Sequence, residues 1–194
     1  MKNKALLITL ATVLSCPNWS RAAGHDWPMW RYDAGRTAVS SHALAETLHL
    51  QWVRQLPPPA PAFRNERLRF DAGYEPVVMG KRLFIGSSRT DSVTAYDTET
   101  GEEQWRFYTG GPVRCAPVAA DGRVYFGSDD GCVYCLDADL GTVIWKVRAV
   151  PSNRTILGNG RLISVWPVRG GPVLVGGTLY FAAGVWPLEG TFTY

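Results

Sequence analysis

The chain has 194 residues, of which 46% are hydrophobic, 12% aromatic and 19% charged, so it has the apolar mass for a core and too little charge for a disordered chain. The formal charge of +3 traces to Lys2, Lys4 and Arg21, because residues 24–194 balance seventeen basic side chains against seventeen acidic ones. That balance excludes the concentrated positive field of a nucleic-acid-binding domain.

Met1-Lys2-Asn3-Lys4 opens the chain with positive charge, and residues 5–14 follow as a mostly apolar run. A bilayer span needs about 20 apolar residues, so the run is read as the core of a secretory signal peptide over residues 1–23. Ser20-Arg21-Ala22-Ala23 supplies small residues for cleavage before Gly24. Val13-Leu14-Ser15-Cys16 offers a competing site that resembles the bacterial lipoprotein lipobox, with a lipid anchor at Cys16. Either way the expectation is export to the periplasm or cell envelope, with no transmembrane helix.

Residues 24–73 form a lead-in. Leu50-Gln51-Trp52 looks like the tail of an earlier repeat unit, and Pro57-Pro58-Pro59-Ala60-Pro61 is a stiff spacer. His25, His42 and His49 lie here without metal-ligand spacing.

From residue 74 the chain repeats itself. Arg82-Leu83-Phe84-Ile85-Gly86-Ser87 answers to Arg123-Val124-Tyr125-Phe126-Gly127-Ser128, and Asp97, Gly101 and Trp105 answer to Asp137, Gly141 and Trp145. The period is about 40 residues. Within the first unit, short runs rich in β-branched and aromatic residues predict strands at 77–79, 82–87, 92–97 and 103–107. Asp121-Gly122 and Asp130-Gly131 mark tight hairpins in the second unit. Four antiparallel strands per 40 residues predict an all-β fold, a β-propeller of four-stranded blades. A third copy starts at Pro172-Val173 and runs through Thr178-Leu179-Tyr180-Phe181 to the end at Tyr194. The expected propeller is therefore incomplete, with about three blades over 74–194 and the third cut short, as in a fragment of a longer ring.

Ala95-Tyr-Asp97-Thr-Glu-Thr100-Gly101-Glu-Glu-Gln-Trp105 resembles the Ala-x-Asp-x-x-Thr-Gly-x-x-x-Trp signature of pyrroloquinoline quinone (PQQ)-like propeller repeats, in the quinoprotein alcohol dehydrogenase-like superfamily. The second copy keeps Asp137, Gly141 and Trp145 but replaces Ala by Cys135 and Thr by Leu140. Signature residues of this kind are read as structural: an Asp that accepts turn N–H groups, a Gly at positive φ and a Trp packed between blades.

With the four strands of each blade lettered A to D in chain order, the B–C and D–A connections of such a fold share one end. The long D–A connections there carry Arg64, Arg67, Arg69, Arg154, Trp166 and Arg169, and the third unit's B–C connection carries Trp186. Arg and Trp suit an acidic or planar ligand, so these seven residues are the candidate binding face. Cys132-Val-Tyr-Cys135 lies along a strand, so its two thiols are expected on opposite faces and unbonded to each other, which leaves open a bridge from either to Cys115.

No catalytic residue, metal site or cofactor is evident in these motifs. The resemblance implies two functions. One is a non-catalytic binding or scaffold module whose partner is another protein or further blades, similar in build to the propeller lipoprotein of the outer-membrane β-barrel assembly machine. The other is the N-terminal part of a PQQ-dependent dehydrogenase that uses PQQ and calcium to oxidise an alcohol or sugar. Such enzymes carry a vicinal Cys-Cys disulfide, which is missing from this sequence.

Overall fold

The computed structural model describes residues 26–185 and 190–194. The expected signal peptide, Cys16 and Trp186 lie outside the described residues.

Thirteen strands and one turn of 3-10 helix (Glu66–Leu68) make up the regular structure of the described residues. Strands β1 (Val77–Met79), β2 (Arg82–Ser87), β3 (Ser92–Asp97) and β4 (Glu103–Tyr108) pair antiparallel in that order as blade I. Blade II repeats the order with β5 (Val118–Ala120), β6 (Arg123–Gly127), β7 (Cys132–Asp137) and β8 (Val143–Arg148). Blade III contributes β11 (Gly170–Val175), β12 (Thr178–Ala183) and β13 (Phe192–Thr193). The predicted strands of blade I match these bounds to within one residue. The fold is an incomplete β-propeller: the innermost strands β1, β5 and β11 lie side by side around one axis.

The sequence reading needs one correction. The 27-residue stretch from Trp145 to Pro172, expected as a long connection, contains a hairpin of β9 (Thr155–Gly158) and β10 (Arg161–Ser164). Its turn is Asn159-Gly160 with φ of 48° and 84°, the two positive values that a type I′ turn requires.

The blades stack face to face. Val77, Phe84, Val93 and Ala95 of blade I bury against Val124, Phe126, Tyr134 and Leu136 of blade II. Phe107 of β4 reaches across to Phe126 and Tyr134, with ring centroids 6.3 and 5.6 Å away. Blade II packs on blade III through Val133, Val168 and Ala183, joined by Trp145, Leu179 and Phe181.

The lead-in is built into this stack. Trp27 exchanges two backbone hydrogen bonds with Val78 of β1, and Pro28 accepts one from Ala119 of β5. Met29 is buried with Val118, Tyr125 and Cys135. Further on, Trp52 donates its indole N–H to the Thr98 carbonyl, and the Arg54 guanidinium lies over the Tyr96 ring at 5.7 Å. The Trp52 segment thus covers the blade I face opposite blade II.

Candidate functional site

The repeat signature forms a relay between units. In each C–D turn an Asp side chain gathers N–H groups: Asp97 accepts from Glu99 (2.8 Å) and Thr100 (2.9 Å), and Asp137 from Asp139 (2.9 Å) and Leu140 (2.8 Å). These bonds, led by the one from Thr100, hold the Asp97 carboxyl below its ordinary range. Gly101 and Gly141 follow with φ of 70° and 68°. Each lies under the tryptophan of the preceding unit. A Cβ on Gly101 would sit 2.6 Å from the Trp52 ring, and one on Gly141 2.6 Å from the Trp105 ring. Trp105 closes the contact with a 3.0 Å hydrogen bond to the Ala138 carbonyl. Ala95 is fully buried at the same interface, while the Thr100 hydroxyl accepts from Glu102.

At the other end, where the B–C and D–A connections gather, a buried ion-pair cluster sits near the axis. Asp129 in the β6–β7 turn is 1% exposed and receives both Arg114 (Nε, 2.7 Å) and Arg169 (Nε and Nη2, both 2.9 Å). Arg114 also pairs with buried Asp71 and donates to the Ala60 carbonyl at 2.6 Å. Two guanidinium groups and two carboxylates neutralise one another here, tying the lead-in to both blade connections. Arg169 lies against the Phe63 and Phe70 rings, at 5.5 and 6.0 Å.

The structure separates the six candidate binding residues that it describes. Arg169 belongs to the buried cluster. Trp166 is half-buried beneath the Arg154 guanidinium, 5.6 Å away. Arg64, Arg67 and Arg69 are exposed on a loop whose base is closed by the Phe63–Phe70 contact. Arg64 donates to Asn159 at the tip of the β9–β10 hairpin at 3.0 Å, and Asn159 donates to the Pro61 carbonyl at 2.8 Å. Arg161 anchors the same hairpin to the β2–β3 turn through Asp91 and the Ser88 carbonyl.

No sequence motif marks Arg114 or Asp71, and Asp129 lies in the Asp129-Asp130-Gly131 run that reads as a tight turn. A signal for the two arginines is present: Pro112-Val113-Arg114 precedes Pro117-Val118 with the spacing by which Pro167-Val168-Arg169 precedes Pro172-Val173.

Between the innermost strands lies a cavity of about 210 Å³ lined by Trp30, Arg36, Phe70, Glu75, Cys115 and Gly171. Arg36 stacks on Trp30 at 4.5 Å and donates to the Gly171 carbonyl. Burial raises the Glu75 carboxyl, with the Ala116 N–H and Arg36 pulling the other way. Burial likewise pushes the Cys115 thiol up to about 12. Cys115, Cys132 and Cys135 are free thiols, the last two on opposite faces of β7.

The cofactor that the resemblance implies is PQQ, a flat ring system with three carboxylates, together with a calcium ion. Of the arginines at this end that could meet those carboxylates, Arg114 and Arg169 are already paired with Asp71 and Asp129, whereas Arg36, which lines the cavity, is in no ion pair among the described residues. Among the described residues no group of three or more His, Cys, Asp or Glu side chains could hold a metal ion. The cavity is also smaller than the ~300 Å³ at which pockets for molecules of that size begin.

A family model described as outer membrane protein assembly factor BamB matches residues 28–190. No curated protein matches significantly. Among solved structures, the fold is similar to quinohemoprotein alcohol dehydrogenase from Comamonas testosteroni, with a TM-score of 0.60 and 23% identity over 82% of this chain and 23% of that one. It is also similar to a europium-containing methanol dehydrogenase, with a TM-score of 0.55 and 16% identity over 84% of this chain and 28% of that one. The chain thus spans about a quarter of the length of either enzyme, and at these identities the likeness is one of fold.

Proposed function

The chain belongs to the outer membrane protein assembly factor BamB family, and we propose that it is an exported, non-catalytic propeller module that binds a protein partner in the periplasm or cell envelope. The contact is made by the loops at the end where the B–C and D–A connections gather, and the three blades act within a larger ring. One observation carries this reading. The buried arginines Arg114 and Arg169 are neutralised by Asp71 and Asp129, whereas Arg64, Arg67 and Arg69 stand exposed at the same end. The charge of Arg114 and Arg169 is committed inside the molecule, and that of Arg64, Arg67 and Arg69 is not.

The test is a photo-crosslinking amino acid placed at position 67, and separately at position 121 in the β5–β6 turn at the opposite end, in cells exporting the protein. The expected result is a discrete adduct from position 67 and none from position 121. Saturable binding of PQQ with calcium to the purified protein, accompanied by reduction of a redox dye with simple alcohols, would overturn the reading in favour of the dehydrogenase. Whether Cys16 carries a lipid anchor is read by fractionating cells that express Cys16→Ser, which releases an anchored protein from the membrane fraction.

A further inference from the structure

From the β9–β10 hairpin we infer the chemistry of that partner: an extended acidic segment that adds a strand to the outer edge of β9. The inference rests on the binding-module reading above and adds the site and the ligand class.

Three observations converge on this edge. The first is its backbone. The hairpin pairs Gly158 with Arg161, Leu157 with Leu162, Ile156 with Ile163 and Thr155 with Ser164. Around a two-residue turn the closing pair is hydrogen-bonded, and the ladder alternates from there. The N–H and C=O groups of Leu157 and Thr155 therefore point away from β10. Among the described residues none of these four groups takes part in a backbone hydrogen bond outside the hairpin. The outer side of β10, by contrast, is held where the Ser164 N–H donates to the Asp129 carbonyl at 2.7 Å. One edge is anchored and the other is open, which is the geometry of strand addition.

The second observation is apolar. Leu157 and Leu162 form a cross-strand pair and are 73% and 70% exposed. An open cleft of about 400 Å³ separates Leu157 and Asn159 from Phe63 and Arg64, room for the side chain of an added strand.

The third is charge. From residue 140 to residue 188 the sequence holds five Lys and Arg residues and no Asp or Glu. Between Glu46 and Asp71 the only acid is Glu66, against Arg54, Arg64, Arg67 and Arg69. Among the described residues no carboxylate pairs with Arg64, Arg67 or Arg69, although the ion pairs of Arg161 and Arg169 are both made. A peptide with alternating acidic and apolar side chains would set its backbone on β9, one face on Leu157 and its carboxylates beside the arginine loop. A membrane or nucleic-acid polyanion would use the charge but not the ordered edge.

The probe is a fluorescent heptapeptide alternating glutamate and valine, titrated into the purified protein by anisotropy. It should bind saturably, and its affinity should fall by about tenfold in Leu157→Asp and by about tenfold in the double variant R67E/R69E, as expected for one apolar anchor or two exposed ion pairs. A lysine–valine peptide should not bind, nor should the glutamate–valine peptide N-methylated on the residues that face β9. Equal binding of the N-methylated peptide would overturn strand addition. Capture by anionic vesicles or duplex DNA that is as tight and insensitive to Leu157→Asp would overturn the peptide ligand in favour of a polyanion. Absence of peptide binding overturns the inference as well. If position 67 still crosslinks in cells, the binding-module reading stands alone; if it does not, both fall. Because Leu157 is exposed, its substitution tests the edge without disturbing the core.

Discussion

The seam between blades I and II and the seam between blades II and III are built from equivalent residues, yet they are not equally finished. At the first, Trp105 covers Gly141 and hydrogen-bonds Ala138, and Phe107 sits against Phe126 and Tyr134. At the second, Trp145 and Val147 stand in the places of Trp105 and Phe107. Among the described residues Trp145 lies beside Tyr125 and packs, with Val173, Leu174 and Leu179, on the cluster of Met29, Val118, Tyr125 and Cys135, but no glycine turn lies beneath its ring. Val143 and Val147 beside it remain 48% and 52% exposed. The Asp of the repeat motif thus serves the turn that carries it, and the tryptophan packs on an aromatic ring of its own blade, Phe84 for Trp105 and Tyr125 for Trp145. The glycine contact and the indole hydrogen bond are added only where the following unit presents its Gly turn.

The largest expected effect lies where both seams meet. Asp129 answers Arg114 from the I–II connection and Arg169 from the II–III connection, so Asp129→Asn leaves two guanidinium groups facing a neutral amide. Removing one partner of a buried ion pair destabilises by about 3–5 kcal/mol, and urea denaturation should show a loss of that order. A loss under about 1 kcal/mol would mean that the two seams are held independently.

Truncating the two tryptophans sharpens the contrast. Trp105→Ala should cost about 3 kcal/mol, the low end for a large aromatic in a packed seam, and Trp145→Ala clearly less. Equal losses in parallel urea melts would break the comparison. A smaller step separates two glycines of similar backbone. Gly141→Ala should destabilise by about 2 kcal/mol, because the methyl meets the Trp105 ring. Gly122→Ala has the same positive φ but open space around it, so only the left-handed backbone penalty of about 1 kcal/mol applies.

The smallest effect is one of pH. Burial raises the Glu75 carboxyl above its ordinary 4.5, so above pH 4.5 the unfolded chain loses this proton before the folded one does. Stability should fall as pH rises from 4.5 through the folded-state value. Glu75→Gln retains an acceptor for the Ala116 N–H and should remove that part of the slope. Thermal melts of both proteins across pH 4 to 7 measure the difference, and parallel curves would show that Glu75 does not titrate in this window.

The blades were legible because their information is local. Alternating apolar runs, Asp-Gly turns and the Asp97–Trp105 signature each sit within a dozen residues, and the strands fell where those patterns placed them. The β9–β10 hairpin is equally local, since Asn159-Gly160 lies between two apolar runs, but it interrupts the repeat and so reads as its connection. The ion-pair cluster was hidden for another reason. Asp71, Arg114, Asp129 and Arg169 belong to four separate connections, and no single window contains two that touch. Only the recurrence of Pro-Val-Arg before Pro-Val hints that Arg114 and Arg169 share a place. Among the candidate binding residues, sequence could not tell Arg169, which is buried, from Arg67, which is exposed, because the difference lies in whether Asp129 is within reach.

The tryptophan relay also bears on how such a chain comes into being. Trp105 donates its hydrogen bond to a carbonyl 33 residues further along, so a polypeptide that emerges amino end first carries an indole with one side uncovered at its growing end until the next hairpins appear. Each newly made unit shelters the one before it and exposes its own aromatic in turn. A factor that escorts the nascent chain would meet the same sticky surface repeatedly, advanced by one repeat each time, and would be displaced by the chain itself.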